Sequence, residues 1–233
     1  MTSPRIIGMI GGMSWESTAL YYRYVNEAVR AARGGHRSAE CILYSVDFEP
    51  MVQAAAQGRW DEVAGILAQA GRALKAAGAG FFLLTANTAH RVADQVQREV
   101  GLPLLHIAQP TGLALQKDGR RRVGLLGTCY VTQDDLYPGW LRRHFGIEAV
   151  APPAGQCGQV HDIILDELTR GIVSQASRDV VLSIIEDMQR QGLEGVVVAC
   201  TELPLLLGQA GDAALPCYDT TRLHAQYAAS MAG

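Results

Sequence analysis

Short apolar runs alternate with longer amphipathic stretches along the chain. The apolar runs are rich in Val, Ile, Leu and Phe, which is typical of parallel strands buried on both faces. They predict strands at 5–10, 40–46, 80–85, 103–107, 122–126, 195–199 and 216–218. Between these strands, apolar residues recur with a period near 3.6, which predicts helices at 15–32, 61–77 and 177–191. Gly192 is predicted to end the last of these helices.

The apolar runs also repeat within the chain. Gly8-Met-Ile-Gly11 recurs as Gly124-Leu-Leu-Gly127, and the segments 80–86 and 102–104 recur near 195–200 and 215–217 at almost the same offset. One such similarity is common in α/β proteins, but three in the same order favour a duplication. We therefore predict an α/β fold of two pseudo-symmetric parallel-sheet halves, one formed by 1–112 plus 213–233 and the other by 113–212. Because parallel sheets bind ligands at the carboxyl ends of their strands, we expect the active site in the cleft between the halves.

Composition narrows the class of protein. Of the 233 residues, 48% are apolar and 18% are charged, and the formal net charge is −3. This balance does not favour binding to nucleic acid or to an anionic membrane, and no apolar run reaches the roughly 18 residues that a membrane span needs. The five cysteines are an odd number without a CxxC pair, which argues against disulfides and a zinc site and favours the cytoplasm.

Polar residues follow the first and third predicted strands. Gly11-Gly12-Met13-Ser14 could form an anion cradle of backbone N–H groups at a helix start, or an ordinary turn with Ser14 or Ser17 as the N-cap. After the third strand, Asn87 and Thr88 could bind a ligand or cap the next helix. For His90, in the first turn of that helix, we expect a structural role.

The corresponding loops of the second half contain Thr128, in the place of Gly12, and Cys200-Thr-Glu202. A cysteine at the end of a buried strand and the start of a helix lies in a positive field, so we expect a lowered pKa for Cys200. Glu202 could orient either this thiol or a substrate ammonium group. A free cysteine is more often a small buried apolar residue, which is the interpretation we give to Cys41, Cys157 and Cys217.

These stretches together resemble the aspartate/glutamate racemase superfamily over nearly the whole chain. The similarity is most specific in GGMSWESTALYY from Gly11, YSVDF from Tyr44, NTAH from Asn87, VHDIILDEL from Val160 and CTEL from Cys200. The resemblance implies a two-base racemase of amino acids, active without pyridoxal phosphate, metal or any other cofactor. In such a reaction one acid/base residue removes the α-proton as a thiolate, and the other donates a proton from the opposite face. A well-placed acid/base group contributes on the order of 10²–10⁴ in rate.

The resemblance also assigns roles to residues. It implies that Cys200 is one of the two acid/base residues and that the chain forms a homodimer. The residues that we expect to bind the substrate are Met13, Ser14, Asn87, Thr88, Thr128, His161, Thr201 and Glu202. The expected substrate is a small amino acid or a related carboxylate, with aspartate and glutamate first.

One position departs from the family pattern. The other acid/base residue, a Cys or Thr directly before Asn87 in the family, is Ala86 here, and alanine has no proton to donate. Thr85 is adjacent, but neighbouring strand residues point to opposite faces. Three interpretations therefore stay open: a racemase with impaired activity, a one-thiol lyase or isomerase acting on a small carboxylate, and a non-catalytic relative that binds carboxylates.

A second departure concerns the substrate. Relatives that act on acidic amino acids use basic residues to bind the side-chain carboxylate, and the segment 48–51 contains no Arg or Lys. Asp162 aligns where some relatives have a basic or amide residue.

Overall fold

A computed structural model describes residues 5–208 and 213–233 and places the strands in two parallel sheets, which confirms the predicted α/β class. One unit comprises Met1–Ile107 and His224–Gly233, and the other Ala108–Leu223. The predicted division at 112/113 and 212/213 therefore needs correction. Residues 108–112 begin a helix of the second unit, and the chain returns to the first unit only at His224. Residues 209–212, at the second predicted boundary, lie outside the described residues.

The first unit has a three-stranded sheet of order β2-β1-β3, made by β1 (Ile7–Gly11), β2 (Cys41–Ser45) and β3 (Phe81–Leu84). Its helices are α1 (Trp15–Arg33), α2 (Phe48–Ala56), α3 (Trp60–Ala76) and α4 (Ala93–Val100), and a 3-10 helix covers Thr88–Val92. Helices α1 and α3 match the predicted segments 15–32 and 61–77 to within one residue at each end.

Alternation along β1 divides the core of this unit into two layers. Ile7 and Met9 pack with α1 and the C-terminal helix, and Ile10 packs with α3 and α4. All five residues of β1 are buried, because it is the central strand and has helices on both faces. Strand β2 lies at the edge of the sheet and is more exposed.

The second unit has a four-stranded sheet of order β5-β4-β6-β7. Its strands are β4 (Arg122–Leu126), β5 (Glu148–Val150), β6 (Val196–Val198) and β7 (Cys217–Asp219). The helices are α5 (Ala108–Lys117), α6 (Cys129–Thr132), α7 (Leu136–Phe145), α8 (Ala154–Asp162), α9 (Gln175–Arg190), α10 (Leu203–Leu207) and α11 (Thr220–Met231). The boundary with the first unit falls within α11. A π-helical turn, Ile163–Glu167, and a 3-10 turn, Leu168–Arg170, follow α8. No helix in the described ranges is long and apolar enough to cross a membrane.

The first three strands of the two sheets have the same order. In each, the first strand along the chain lies between the second and the third, so β1, β2 and β3 correspond to β4, β5 and β6. This is the arrangement that the internal sequence repeat predicts.

The predicted strand at 103–107 is wrong. Only Leu104 forms a bridge, to Phe82 of β3, at the sheet edge where β7 pairs with β6 in the second sheet. Pro103 has no N–H group, and the Leu105 carbonyl accepts from His224 Nε2 at 2.8 Å. The pairing with β3 therefore stops after the Leu105 N–H, which donates to the Phe82 carbonyl at 2.9 Å. Strand β5 was not predicted, since three residues are too few for a clear alternation.

Candidate active site

Ala86 and Cys200 occupy equivalent places in the two units. Directly after β3, the N–H of Thr85 donates to a carbonyl of β1 at 3.0 Å, and directly after β6 the N–H of Ala199 donates to a carbonyl of β4 at 2.7 Å. The next residues along the chain are Ala86 and Cys200. Each thus lies at the carboxyl end of its sheet, where parallel sheets bind ligands.

The loop after β1 is held by hydroxyl groups. Gly12 has a positive φ of 89° and packs so closely against the backbone of Val46 that a Cβ there would overlap it. Its N–H donates to Thr18 Oγ1 at 2.9 Å. Ser14 also has a positive φ, 67°, and its hydroxyl caps α1 by accepting the Ser17 N–H at 3.2 Å. The N-cap interpretation is therefore confirmed, and the anion cradle stays a prediction.

A buried pair of hydroxyls joins this loop to the end of β3. Thr18 Oγ1 and Thr85 Oγ1 lie 3.3 Å apart, and Thr85 is fully buried. Ala86 is half-buried and packs on the opposite face of the sheet, with the α3 layer. The prediction that Thr85 points away from the Ala86 side is confirmed. The role of Thr18 was not predicted, because nothing in the sequence pairs it with a residue 67 positions away.

The Ala86–Thr88 turn is fixed by a histidine. The N–H of Ile107 donates to His90 Nε2 at 3.2 Å, so the proton is on Nδ1, which donates to the Ala86 carbonyl at 2.9 Å. This is the structural role that we expected for His90. Asn87 is buried, and its side chain does not cap the 3-10 helix that begins at the half-buried Thr88, so capping by Asn87 is wrong.

In the second unit, the loop after β4 contacts His161. Thr128 stands at the N-cap of α6 without capping it, and its buried Oγ1 has no hydrogen-bond partner among the described residues. The N–H of Cys129 donates to His161 Nδ1 at 3.3 Å, and the ring of Tyr130 meets the His161 ring edge-on at 5.8 Å between centroids. His161, which was predicted from the VHDIILDEL motif, thus belongs to the same cluster as Thr128.

The loop after β6 is a buried cluster around one carboxylate oxygen. Glu202 Oε2 accepts from Cys200 Sγ at 3.2 Å and from Thr201 Oγ1 at 2.6 Å. All three residues are more than nine-tenths buried. We predicted that Glu202 orients either the Cys200 thiol or a substrate ammonium group, and the structure shows its contact with the thiol.

The expected lowering of the Cys200 pKa is wrong. Burial raises the pKa of this thiol well above its usual value, and the negative charge of Glu202 raises it further. The backbone N–H groups of Glu202 and Leu203, at the start of α10, lower the pKa of Cys200, but their effect is smaller than that of burial and of the Glu202 charge. Helix α10 has only five residues, so its dipole is small.

Comparisons with known proteins identify the family. The model of the Asp/Glu/Hydantoin racemase family matches residues 10–228. A candidate Asp/Glu racemase from Yersinia pestis is 44% identical, with a TM-score of 0.91 over 98% of this chain and 99% of that one. An aspartate racemase homologue from Pyrococcus horikoshii OT3 is 33% identical, with a TM-score of 0.84 over 98% and 99% of the two chains.

The chain belongs to the Asp/Glu/Hydantoin racemase family. An aspartate racemase from Picrophilus torridus shares the fold at 20% identity, with a TM-score of 0.73 over 98% of this chain and 94% of that one.

The structure gathers the predicted residues of this racemase-family chain into two groups. Met13, which is buried, Ser14, Ala86, Asn87 and Thr88 follow the neighbouring strands β1 and β3 of the first unit. Thr128, Cys200, Thr201 and Glu202 follow the neighbouring strands β4 and β6 of the second, and His161 joins them from α8.

The remaining cysteines differ in exposure. All five are free thiols. Cys157 is buried, as expected, but Cys41 is half-buried and Cys217 is exposed, so the expectation of burial is wrong for Cys217. Within residues 5–208 and 213–233, no three His, Cys, Asp or Glu side chains form a group that could hold a metal ion.

Proposed function

We propose that the chain is a cofactor-independent racemase of acidic amino acids whose remaining acid/base residue is Cys200 and whose other acid/base position is Ala86. The observation that carries the proposal is the equivalence of these two residues, each placed two residues after the end of corresponding strands and preceded by the same backbone hydrogen bond. A two-base reaction needs one proton-transfer group at each place, and here one of them is a methyl group.

The substrate is proposed to bind through the polar groups beside each position. Asn87, Thr88 and Thr201 would hold the α-carboxylate, as the family resemblance implies. The unsatisfied Thr128 hydroxyl would hold a second polar group of the substrate, because a buried hydroxyl without a partner costs free energy that a ligand oxygen would recover. Met13, Ser14, His161 and Glu202 would complete the site.

The test is to restore the missing group. Purified Ala86→Cys and Ala86→Thr variants are incubated in D₂O with each enantiomer of aspartate and glutamate, and loss of the α-proton signal is followed by NMR. We expect exchange at least about 10²-fold faster than in the unaltered chain, since one acid/base group contributes on the order of 10²–10⁴. The double variant Ala86→Cys/Cys200→Ser should lose this gain.

The matched control is Thr85→Cys, which places a thiol one residue away on the opposite face of the sheet. It should give no gain, because the Thr85 side chain is directed at Thr18. If neither Ala86 variant exchanges the α-proton of any amino acid tested, the racemase proposal fails.

Ala86 supports a second candidate, a lyase or isomerase that uses one thiol. Such an enzyme protonates an enolate of a small carboxylate from the Cys200 side alone and needs no group at position 86. It would be active as the chain stands, lose activity with Cys200→Ser and form a single enantiomer. If small carboxylates raise the melting temperature but none is turned over, the third interpretation, a carboxylate-binding relative, holds instead.

We also propose that the chain forms a homodimer through its first unit. Exposed aromatic and aliphatic side chains occur on α1, on the edge strand β2 and on α2, namely Trp15, Tyr22, Leu43, Tyr44, Phe48 and Val52. Apolar side chains around an open sheet edge are typical of association surfaces. Light scattering with size-exclusion chromatography should give a dimer that Tyr22→Lys weakens and that Tyr130→Lys, a substitution of an exposed tyrosine of the second unit, leaves intact.

A further inference from the structure

One carboxylate oxygen contacts the thiol of Cys200. Glu202 Oε2 accepts a hydrogen bond from the thiol at 3.2 Å and from the Thr201 hydroxyl at 2.6 Å, and all three side chains are buried. A carboxylate in this arrangement acts only as an acceptor, so the proton lies on the sulfur side of the Cys200–Glu202 contact.

Removal of that proton would place two negative charges in contact within a buried site. At this separation and away from water, like charges repel strongly, so the thiol form is favoured. Two backbone N–H groups at the start of α10 oppose this effect. Other ionisable side chains on the elements around the thiol include Arg178 on α9, Cys217 and Asp219 on β7, and His161, Asp162 and Glu167 on and after α8. Glu202 is the charge that acts most strongly on Cys200.

We propose that Glu202 is a positioning residue that keeps Cys200 protonated, so that in the resting protein Cys200 delivers a proton to carbon instead of removing one. In this step the Sγ–H bond breaks and its electron pair stays on sulfur. The substrate carbanion is left by departure of carbon dioxide, in a lyase, or by removal of the α-proton by a base restored at residue 86. Its electron pair forms the new C–H bond, and the resulting thiolate takes a proton from water and leaves hydroxide. Delivery to a substrate carbon rests on the proposed function, but the protonation state of Cys200 does not.

The protonation state is tested by the pH dependence of alkylation. Iodoacetamide is applied to the full chain between pH 6 and 10, and mass spectrometry of the digest gives the rate at Cys200 separately from that at Cys217. Glu202→Gln keeps the shape but removes the charge. We expect alkylation of Cys200 at pH 8 to be at least about tenfold faster in this variant, because one pKa unit is a tenfold change in thiolate. The rate at the exposed Cys217 should change by less than about twofold.

A second variant moves the rate in the opposite direction. Thr201→Val keeps the shape but removes a donor from Glu202 Oε2, which leaves the carboxylate a stronger acceptor for the thiol. We expect alkylation of Cys200 to be slower by about threefold or more. If Glu202→Gln does not fold, this variant alone tests the protonation state of Cys200. An unchanged or lower rate at Cys200 in folded Glu202→Gln, or a faster one in Thr201→Val, would overturn the proposal. Since no substrate is present, its failure is distinct from failure of the isotope-exchange test.

Discussion

Two buried histidines of the first unit should make the protein sensitive to mild acid. His90 and His224 are almost fully buried, with their rings 5.7 Å apart. His224 Nε2 donates to the Leu105 carbonyl at 2.8 Å, and its Nδ1 accepts from Tyr21 at 3.0 Å. Both rings are therefore neutral, each with one nitrogen as donor and the other as acceptor. Protonation would remove an acceptor from each and bury two positive charges close together.

The magnitude follows from the pKa values. Burial lowers the pKa of His90 from 6.5 to about 4 and that of His224 to about 3, and the proximity of His90 also lowers the latter. Because the folded pKa values are depressed, the unfolded chain binds protons more readily below pH 6.5. The stability is complete above pH 6.5 and falls by about 1.4 kcal/mol per pH unit for each histidine until its folded pKa is reached. Between pH 7 and pH 5, each should remove about 2 kcal/mol from the free energy of unfolding.

The assay is urea unfolding at pH 5, 6 and 7, followed by circular dichroism. His90→Gln should lower stability at pH 7, since it disturbs two buried hydrogen bonds, but should reduce the loss between pH 7 and pH 5 by about 2 kcal/mol. His36→Gln, at an exposed histidine, is the control and should leave that loss unchanged. The reasoning is refuted if His90→Gln has the same pH dependence as the unaltered chain, or if the His90 ring titrates near pH 6.5 by NMR.

Three further substitutions test the packing and capping of the helices, each by its free energy of unfolding in urea. Gly112→Ala should destabilise by about 1–3 kcal/mol, because its Cβ would overlap the Phe145 ring. Gly65→Ala, in a helix where a Cβ meets nothing, should instead stabilise by about 0.5–1 kcal/mol, and equal effects at the two glycines would contradict the packing. Ser174→Ala should cost about 1 kcal/mol, as its hydroxyl caps α9 by accepting the Ser177 N–H at 3.1 Å; no loss would mean that the cap is not formed.

Local patterns were sufficient for most of the secondary structure. Helix α9 lies at Gln175–Arg190, against a prediction of 177–191, and Gly192 follows it with a positive φ of 76°. The central strands β1 and β4 were also predicted, because a continuous run of buried apolar residues between turn residues is compatible with few structures other than a central strand. The predicted strand at 103–107 failed because the His224 side chain occupies the Leu105 carbonyl, a tertiary contact that no strand pattern contains.

The electrostatics of the candidate site could not be derived in the same way. The sequence places Cys200 between a strand and a helix, which indicates a lowered pKa. It does not reveal that the helix is only five residues long, or that the Glu202 carboxylate turns back to within 3.2 Å of the thiol. The sign of the pKa shift is decided by this short-range contact and by burial, and both depend on side-chain positions.

The state of position 86 decides between the candidate reactions, and the structure limits what could replace its missing proton donor. Thr85 cannot do so, because its hydroxyl is fully buried beside Thr18 on the α1 face, whereas Ala86 packs on the α3 face. The His90 Nδ1–H donates to the Ala86 carbonyl and Nε2 accepts the Ile107 N–H, so both ring nitrogens are engaged in structural hydrogen bonds. On the first-unit side, a new side chain at residue 86 is therefore the smallest change that supplies an acid/base group. If the chain turns over a substrate without one, the proton must be delivered from Cys200 alone, and the product must be a single enantiomer.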